Sequence, residues 1–249
     1  MTKKSTIALL KEYDNEYNRI EIGIDEVGRG PLFGRVYSAC VILPKKDDFK
    51  YEIIKDSKKF SSKKKMLEVY NYLIENVDLY SVSYIDENTI DNVNILNASH
   101  QAMHKAISGL FEKKNIDISN CLLMVDGNNF KPYCRYIDNQ IKQVSHVTIE
   151  GGDNKYCCIA AASILAKVQH DLYIDNLCKE YPKLHEYYDL LNNKGYGTRK
   201  HIDGIKKYGI SPWHRKSFST CKSQNTNTAE YYLDSNINES EDDLPKQTV

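Results

Sequence analysis

Ile20-Glu21-Ile22-Gly23-Ile24-Asp25-Glu26-Val27-Gly28-Arg29-Gly30-Pro31-Leu32-Phe33-Gly34 is the stretch around which the chain is organised. Ile20, Ile22 and Ile24 alternate with Glu21, Gly23 and Asp25, the period of a strand with one buried face. The strand runs into two adjacent carboxylates, Asp25 and Glu26. Gly28-Arg29-Gly30-Pro31 follows, and its two glycines and proline stop regular pairing. Negative side chains are thereby set beside backbone that a ligand can approach closely. Taken alone, the same residues also describe a strand end with a solvated acidic turn.

The arrangement recurs. Val125-Asp126-Gly127-Asn128 follows the apolar run from Cys121 to Met124, and Glu150-Gly151-Gly152-Asp153 follows Val144 to Ile149. Asp25, Glu26, Asp126 and Asp153 therefore sit at three equivalent strand ends. Oxygen ligands without His or Cys partners suit Mg²⁺ or Mn²⁺. Crowded carboxylates repel one another unless cations neutralise them. Two ions about 3.5–4 Å apart activate a water and stabilise the leaving oxygen of a phosphodiester. A metal-dependent nuclease or phosphotransferase is indicated, without a choice between them. Asp153 also has a structural explanation, because it stands where it could cap the following helix.

Further strands are expected over Val36 to Leu43, pairing with the first as a hairpin, and over Leu79 to Ile85. The run from Cys121 to Val125 is apolar on both faces, which predicts an internal strand, and Val144 to Ile149 is the fifth. Lys55-Asp56-Ser57-Lys58-Lys59-Phe60-Ser61-Ser62-Lys63-Lys64-Lys65 carries six lysines in eleven residues. It reads either as a solvated surface or as a phosphate-contacting loop beside the acids, leading into a helix capped by Ser61 or Ser62. A long helix is expected from Asn94 to Lys114. Another runs from after Asp153 toward Lys179, through the small-residue run Ile159-Ala160-Ala161-Ala162-Ser163-Ile164-Leu165, which lets its backbone lie close to the sheet. The pattern predicts an α/β fold with a five-stranded mixed sheet flanked by helices.

Of 249 residues, 1–182 are expected to form the core and 183–218 a helical extension. From Ser219 onward six acids stand against two lysines, a net −4 that leaves the body at +4, and 219–249 are expected to be a disordered acidic tail. No apolar run reaches the roughly 18–20 residues of a membrane span and no secretory signal is evident, so cytoplasmic location is the expectation. The seven cysteines include no zinc-type C-x-x-C pair and read as reduced and structural.

Taken together, Ile22-Gly23-Ile24-Asp25-Glu26-Val27-Gly28-Arg29-Gly30-Pro31, Asp56-Ser57-Lys58-Lys59, Ile95-Leu96-Asn97-Ala98-Ser99, Val125-Asp126-Gly127-Asn128 and Gly152-Asp153 resemble the motifs of ribonuclease HII, the type 2 ribonuclease H family. So do Ile159 to Val168, Gly195-Tyr196-Gly197-Thr198 and His214-Arg215-Lys216-Ser217-Phe218, all in the family's order. The resemblance covers roughly Glu21 to Phe218. It implies a ribonuclease H-like fold with a C-terminal helical extension that binds substrate. It also implies endonucleolytic cleavage of the RNA strand of RNA–DNA hybrids and incision 5′ of single ribonucleotides in duplex DNA, leaving 3′-hydroxyl and 5′-phosphate ends. Asp25, Glu26, Asp126 and Asp153 match the catalytic acids, which would hold two Mg²⁺ or Mn²⁺ ions. Gly28-Arg29-Gly30 matches the loop that reads the 2′-hydroxyl, and Tyr196 the tyrosine stacking on the next deoxyribose. Ser57, Lys58, Lys59 and Asn128 complete the expected substrate contacts.

Phe33 and Arg35 depart from the small residue and proline expected after Pro31-Leu32, and Cys157 and Cys158 have no chemical rationale. His201 and His214 read as packing or surface histidines rather than proton carriers. Two rival readings are a hybrid-binding module without catalysis and a ribonuclease HIII-like enzyme. The latter carries an additional N-terminal domain, whereas only about twenty residues precede Asp25 here. A monomer is expected, and a sliding-clamp contact is left open.

Overall fold

The computed structural model of the chain describes residues 8–13, 19–114 and 116–227. Alternation at Ile20 produces β1 (Ile20–Val27), followed by β2 (Val36–Ile42), β3 (Leu79–Ile85), β4 (Cys121–Asp126), β5 (Cys134–Ile137), β6 (Gln140–Gln143) and β7 (Ser145–Ile149). The helices are α1 (Lys63–Asn76), α2 (Glu87–Val93), α3 (Ile95–Lys113), α4 (Cys157–Glu180), α5 (Lys183–Tyr188), α6 (Leu190–Asn193) and α7 (Arg199–Tyr208). Five strands form one mixed sheet in the order β3-β2-β1-β4-β7, with β2 antiparallel to β1 and β3, and β4 parallel to β1 and β7. The acid-bearing strand β1 is its middle strand. β5 and β6 form a separate hairpin that the apolar pattern does not announce, since Tyr136 and Ile141 point to solvent. Its one sequence signal is Asp138-Asn139, both left-handed (φ 52° and 59°), the conformation a tight hairpin turn requires.

Side-chain alternation splits the core across the sheet. Ile22, Ile24, Leu123 and Val125 meet Met103, Ala106, Ile107 and Leu110 of α3. On the other face Ala39, Leu122 and Met124 meet Ala160, Ala161, Ile164 and Leu165 of α4. Contact between α4 and β1 is backbone to backbone: a Cβ built on Gly23 would lie 2.2 Å from the carbonyl carbon of Cys158. Cys157 and Cys158 are buried there, with Cys158 Sγ 3.7 Å from Met124 Sδ; burial pushes the Cys157 thiol up to about 11 and the Cys158 thiol higher still. They act as small hydrophobes, and all seven cysteines are free thiols. Helix starts follow the capping residues: Ser62 Oγ accepts from Lys65 N–H at α1, and Asn94 Oδ1 accepts from Asn97 N–H at α3.

A third apolar cluster joins the loop after β1 to the C-terminal helices, with Phe33 fully buried among Ile174, Leu184, Tyr188, Leu190 and Ile205. Phe33 is thus the residue that seats the extension on the loop. The Arg35 guanidinium lies 4.0 Å from the Tyr84 ring centroid and 4.3 Å from that of Tyr173, a doubly stacked cation. The boundary expected at Ser219 moves. Cys221 is buried, Ile210 N–H donates to Asn225 O, and Asn227 N–H donates to Ile210 O, so defined packing continues to Asn227. The acids from Glu230 onward, and the disorder expected of them, lie outside the described residues. Among the described residues no helix is long and apolar enough to cross a membrane.

Candidate active site

Parallel register sets Ile24 opposite Val125, so Asp25 and Asp126, one position further on, lie side by side on the α4 face of the sheet, Asp126 at the end of β4 and Asp25 where β1 continues two residues further against β2 alone. Asp25 is only 5% exposed. Its Oδ1 accepts from Glu26 N–H at 2.7 Å, and its carbonyl accepts from Ser38 Oγ at 2.8 Å. Ser163 of α4 faces the Asp25 carboxyl, where its hydroxyl favours the ionised form, and lies 3.1 Å from Ser57 Oγ. After β7 the chain turns at Gly151 (φ 60°), and Gly152 N–H donates to Asp126 Oδ1 at 2.6 Å. That bond brings Asp153 beside Asp126. Asp153 does not cap α4, whose N-cap is Tyr156. Its carboxylate accepts instead from Asn154 Nδ2 at 3.0 Å and from Lys58 Nζ at 3.4 Å.

The electrostatics are those of acids forced together. Burial, then the charges of Glu26 and Asp126, hold the Asp25 carboxyl well above the ordinary carboxylate range. Burial raises Glu26, partly offset by Arg29, whose Nη1 is 3.2 Å from Glu26 Oε1. Burial and the Asp153 charge raise Asp126. At Lys58 the effect of burial is outweighed by the Asp153 carboxylate, so the ammonium is held above its ordinary value. Glu26 Oε2 is buried with no hydrogen-bond partner. An all-oxygen donor set, disfavoured negative charge and an unsatisfied carboxylate oxygen fit a hard divalent cation. Among the described residues no three such side chains already close around one point. Arg29 and Lys58 engage Glu26 and Asp153 as ion pairs here.

A cleft of about 370 Å³ opens over these strand ends. Asp25, Glu26 and Asp126 line it together with Gly28-Arg29-Gly30, Ser57, Lys58 and Tyr196. Gly30 lets Tyr196 in: a Cβ there would stand 3.3 Å from the ring, which is 42% exposed as a residue. Asp153 is buried behind this lining. Lys59 and Asn128 do not line the cleft. Lys59 Nζ bonds Asn154 Oδ1, and Asn128 Nδ2 donates to Glu150 Oε1. Ser163 and Lys167 of α4 line it too, two residues of the Ile159 to Val168 motif to which sequence alone assigns no site role. Arg215 is fully buried, and no sequence pattern assigns it a part. Its guanidinium gathers the carbonyls of the glycine loop.

The family model for ribonuclease HII matches residues 22–221, a span that includes the acids, the loop and the tyrosine. The chain belongs to the ribonuclease HII family. It is 42% identical over 211 residues to a ribonuclease HII of Parabacteroides distasonis, covering 85% of this chain and 96% of the relative. Against the ribonuclease HII of Phocaeicola vulgatus identity is 42% over 201 residues, covering 80% and 89%. In three dimensions it is similar to ribonuclease H2 of Pyrococcus horikoshii, with a TM-score of 0.62 at 24% identity over 81% of this chain and 95% of that one. The ribonuclease HII of Archaeoglobus fulgidus, solved in complex with PCNA, gives 0.59 at 20% identity over 82% and 98%. Bst-RNase HIII, solved in complex with Mn²⁺, gives 0.57 at 18% identity over 83% of this chain and 70% of that one. The fold is therefore ribonuclease H-like. As a ribonuclease HII the chain is a hydrolase, a nuclease of the ribonuclease H type.

Proposed function

We propose that this ribonuclease HII cuts the RNA strand of RNA–DNA hybrids and incises 5′ of a single ribonucleotide in duplex DNA, leaving 3′-hydroxyl and 5′-phosphate ends. Asp25, Glu26, Asp126 and Asp153 would hold Mg²⁺ or Mn²⁺. Bound there, such ions supply an activated water and charge stabilisation at the leaving oxygen. Ser57 and Lys58 offer a hydroxyl and an ammonium to a phosphate at the cleft. Gly28-Arg29-Gly30 offers backbone with little bulk to a 2′-hydroxyl, the group that separates RNA from DNA. Tyr196, from the C-terminal extension, presents its ring beside that loop for stacking on the next sugar, which supports a substrate-binding role for the extension.

The observation that carries this reading is one cleft containing both the clustered acids and the Gly30–Tyr196 contact. The test is a duplex with one embedded ribonucleotide, incubated with and without Mn²⁺ or Mg²⁺, with the cut position mapped. An ion-dependent cut on the 5′ side of the ribonucleotide is expected. No cleavage of this duplex or of a hybrid with either ion would favour a binding module that has lost catalysis.

A further inference from the structure

Arg215 and His214 are adjacent in sequence, and each holds a different half of the proposed junction reader. The Arg215 guanidinium spends its donors on one loop: Nε on Gly34 O (2.8 Å), Nη1 on Arg29 O (3.1 Å) and Pro31 O (2.8 Å), Nη2 on Gly28 O (2.6 Å) and Arg35 O (3.1 Å). A planar fork with five N–H groups meets five carbonyls, a geometry that a lysine ammonium with three donors cannot reproduce. Gly28 (φ 97°) and Gly34 (φ 80°) provide the backbone turns that bring those carbonyls to one centre.

His214 points the other way. Its Nδ1 accepts from Ser211 N–H at 2.9 Å and from Ser211 Oγ at 2.7 Å, which places the His214 proton on Nε2. That proton is donated to His201 Nε2 at 3.0 Å. His201 Nδ1–H then donates to the Tyr196 carbonyl at 3.0 Å. Backbone bonds close the frame: Arg215 N–H to Leu32 O (2.9 Å) and Leu32 N–H to Gly195 O (2.8 Å). Arg215, His214, His201 and Ser211 do not line the cleft; they hold the loop and the tyrosine that do.

We infer that His214-Arg215 is a positioning pair that sets the spacing between the Gly28-Arg29-Gly30 loop and Tyr196, and with it the preference for a ribonucleotide–DNA junction over a uniform hybrid. This rests on the reading under Proposed function. A junction offers one 2′-hydroxyl followed by one deoxyribose, so loop and ring must engage adjacent sugars in a single register. A uniform hybrid offers a 2′-hydroxyl at every step and tolerates a slipped register. A misplacement of about 1 Å is enough to cost on the order of a hundredfold in rate.

The experiment compares kcat/KM on a lone-ribonucleotide duplex and on a uniform hybrid for full-length wild type, Arg215→Lys and His201→Gln, with thermal unfolding of each. His201→Gln keeps a group near the Nε2 position while removing the donor to Tyr196 O. Arg215→Lys is expected to lower junction incision by roughly tenfold more than hybrid cleavage. His201→Gln is expected to change the ratio in the same direction with a smaller loss of stability. Equal losses on both substrates in either folded variant overturn the inference and leave the reading of the site standing. Should Arg215→Lys fail to fold, His201→Gln decides alone. Wild type that does not incise at the lone ribonucleotide overturns both.

Discussion

Replacing Gly23 by alanine tests whether close approach of α4 to β1 builds the site. The new Cβ would fall 2.2 Å from the Cys158 carbonyl carbon and 2.4 Å from its oxygen, where ordinary contact begins at 3.4 Å, so the elements must part by roughly 1.2 Å. The obstacle is helix backbone, which cannot rotate away as a side chain could. A radial gap of about 0.5–1 Å already forfeits a quarter to a half of a dispersion contact. The buried face of α4 would lose contact over Ala160, Ala161, Ile164 and Leu165 together. Overpacking costs of about 1–3 kcal/mol are usual for side chains that can adjust, so about 3 kcal/mol or more is expected here. For a chain of this size that lowers Tm by about 6–12 °C. Function should fall as well at temperatures where the variant is folded, because Asp25 lies two residues further along β1 and its carboxyl faces Ser163 of α4. The assay is thermal unfolding alongside hybrid cleavage well below the transition. A Tm within about 3 °C of wild type, with normal cleavage, would refute the argument that this contact is rigid.

Asp126→Asn should reduce cleavage by on the order of a hundredfold or more, the scale of losing a charge-stabilising group, and near-normal turnover would remove Asp126 from the site. Because burial and the Asp153 charge disfavour ionised Asp126, the same variant should unfold at or above the wild-type temperature in chelator; a clear drop in Tm would contradict that electrostatic reading. Tyr196→Ala should impair incision at a lone ribonucleotide more than cleavage of a long hybrid, measured as a ratio of kcat/KM values, and equal losses would count against the proposed stacking role. Burial lowers His201, and burial with the neighbouring His201 charge lowers His214 well below the ordinary 6.5. The unfolded chain therefore binds more protons than the folded one as pH falls below 6.5, and stability drops in that direction while staying level above it on this account. Buried His100 and His170 are lowered too, so the diagnostic quantity is the difference in Tm–pH slope between wild type and His201→Gln below pH 6.5, where the variant should be flatter.

What could be read from the residues, and what could not, follows from the range of each interaction. The strands and long helices are local in origin: period-two alternation at Ile20 to Ile24, the Ser62 and Asn94 caps, and the alanine run of α4 all act within a few residues. Acids at strand ends were legible for the same reason, since parallel pairing carries any residue that ends a strand to one edge of the sheet. The β5–β6 hairpin was missed because its outward positions are occupied by Tyr136 and Ile141, which blur the polar–apolar alternation. Lys59 and Asn128 are a different case. Each lies one or two residues from a group that reaches the site, yet its side chain is spent on Asn154 or Glu150.

Arg215 is the instructive case. No local pattern distinguishes a buried guanidinium from a surface one, and its partners lie some 180 residues away, at Gly28 to Arg35. A charge without exposure persists only where its donors are satisfied, and here five carbonyls satisfy them. Those carbonyls belong to a loop that has neither helix nor strand to shape it. The dependence is mutual. Without the loop the guanidinium would be an unpaired buried ion, and without the guanidinium five inward carbonyls would lack their donors, at about 1–3 kcal/mol for each one left unsatisfied. A loop rich in glycine gains close approach and loses intrinsic order, and in this chain the lost order is restored from the C-terminal helices, the same segment that carries Tyr196.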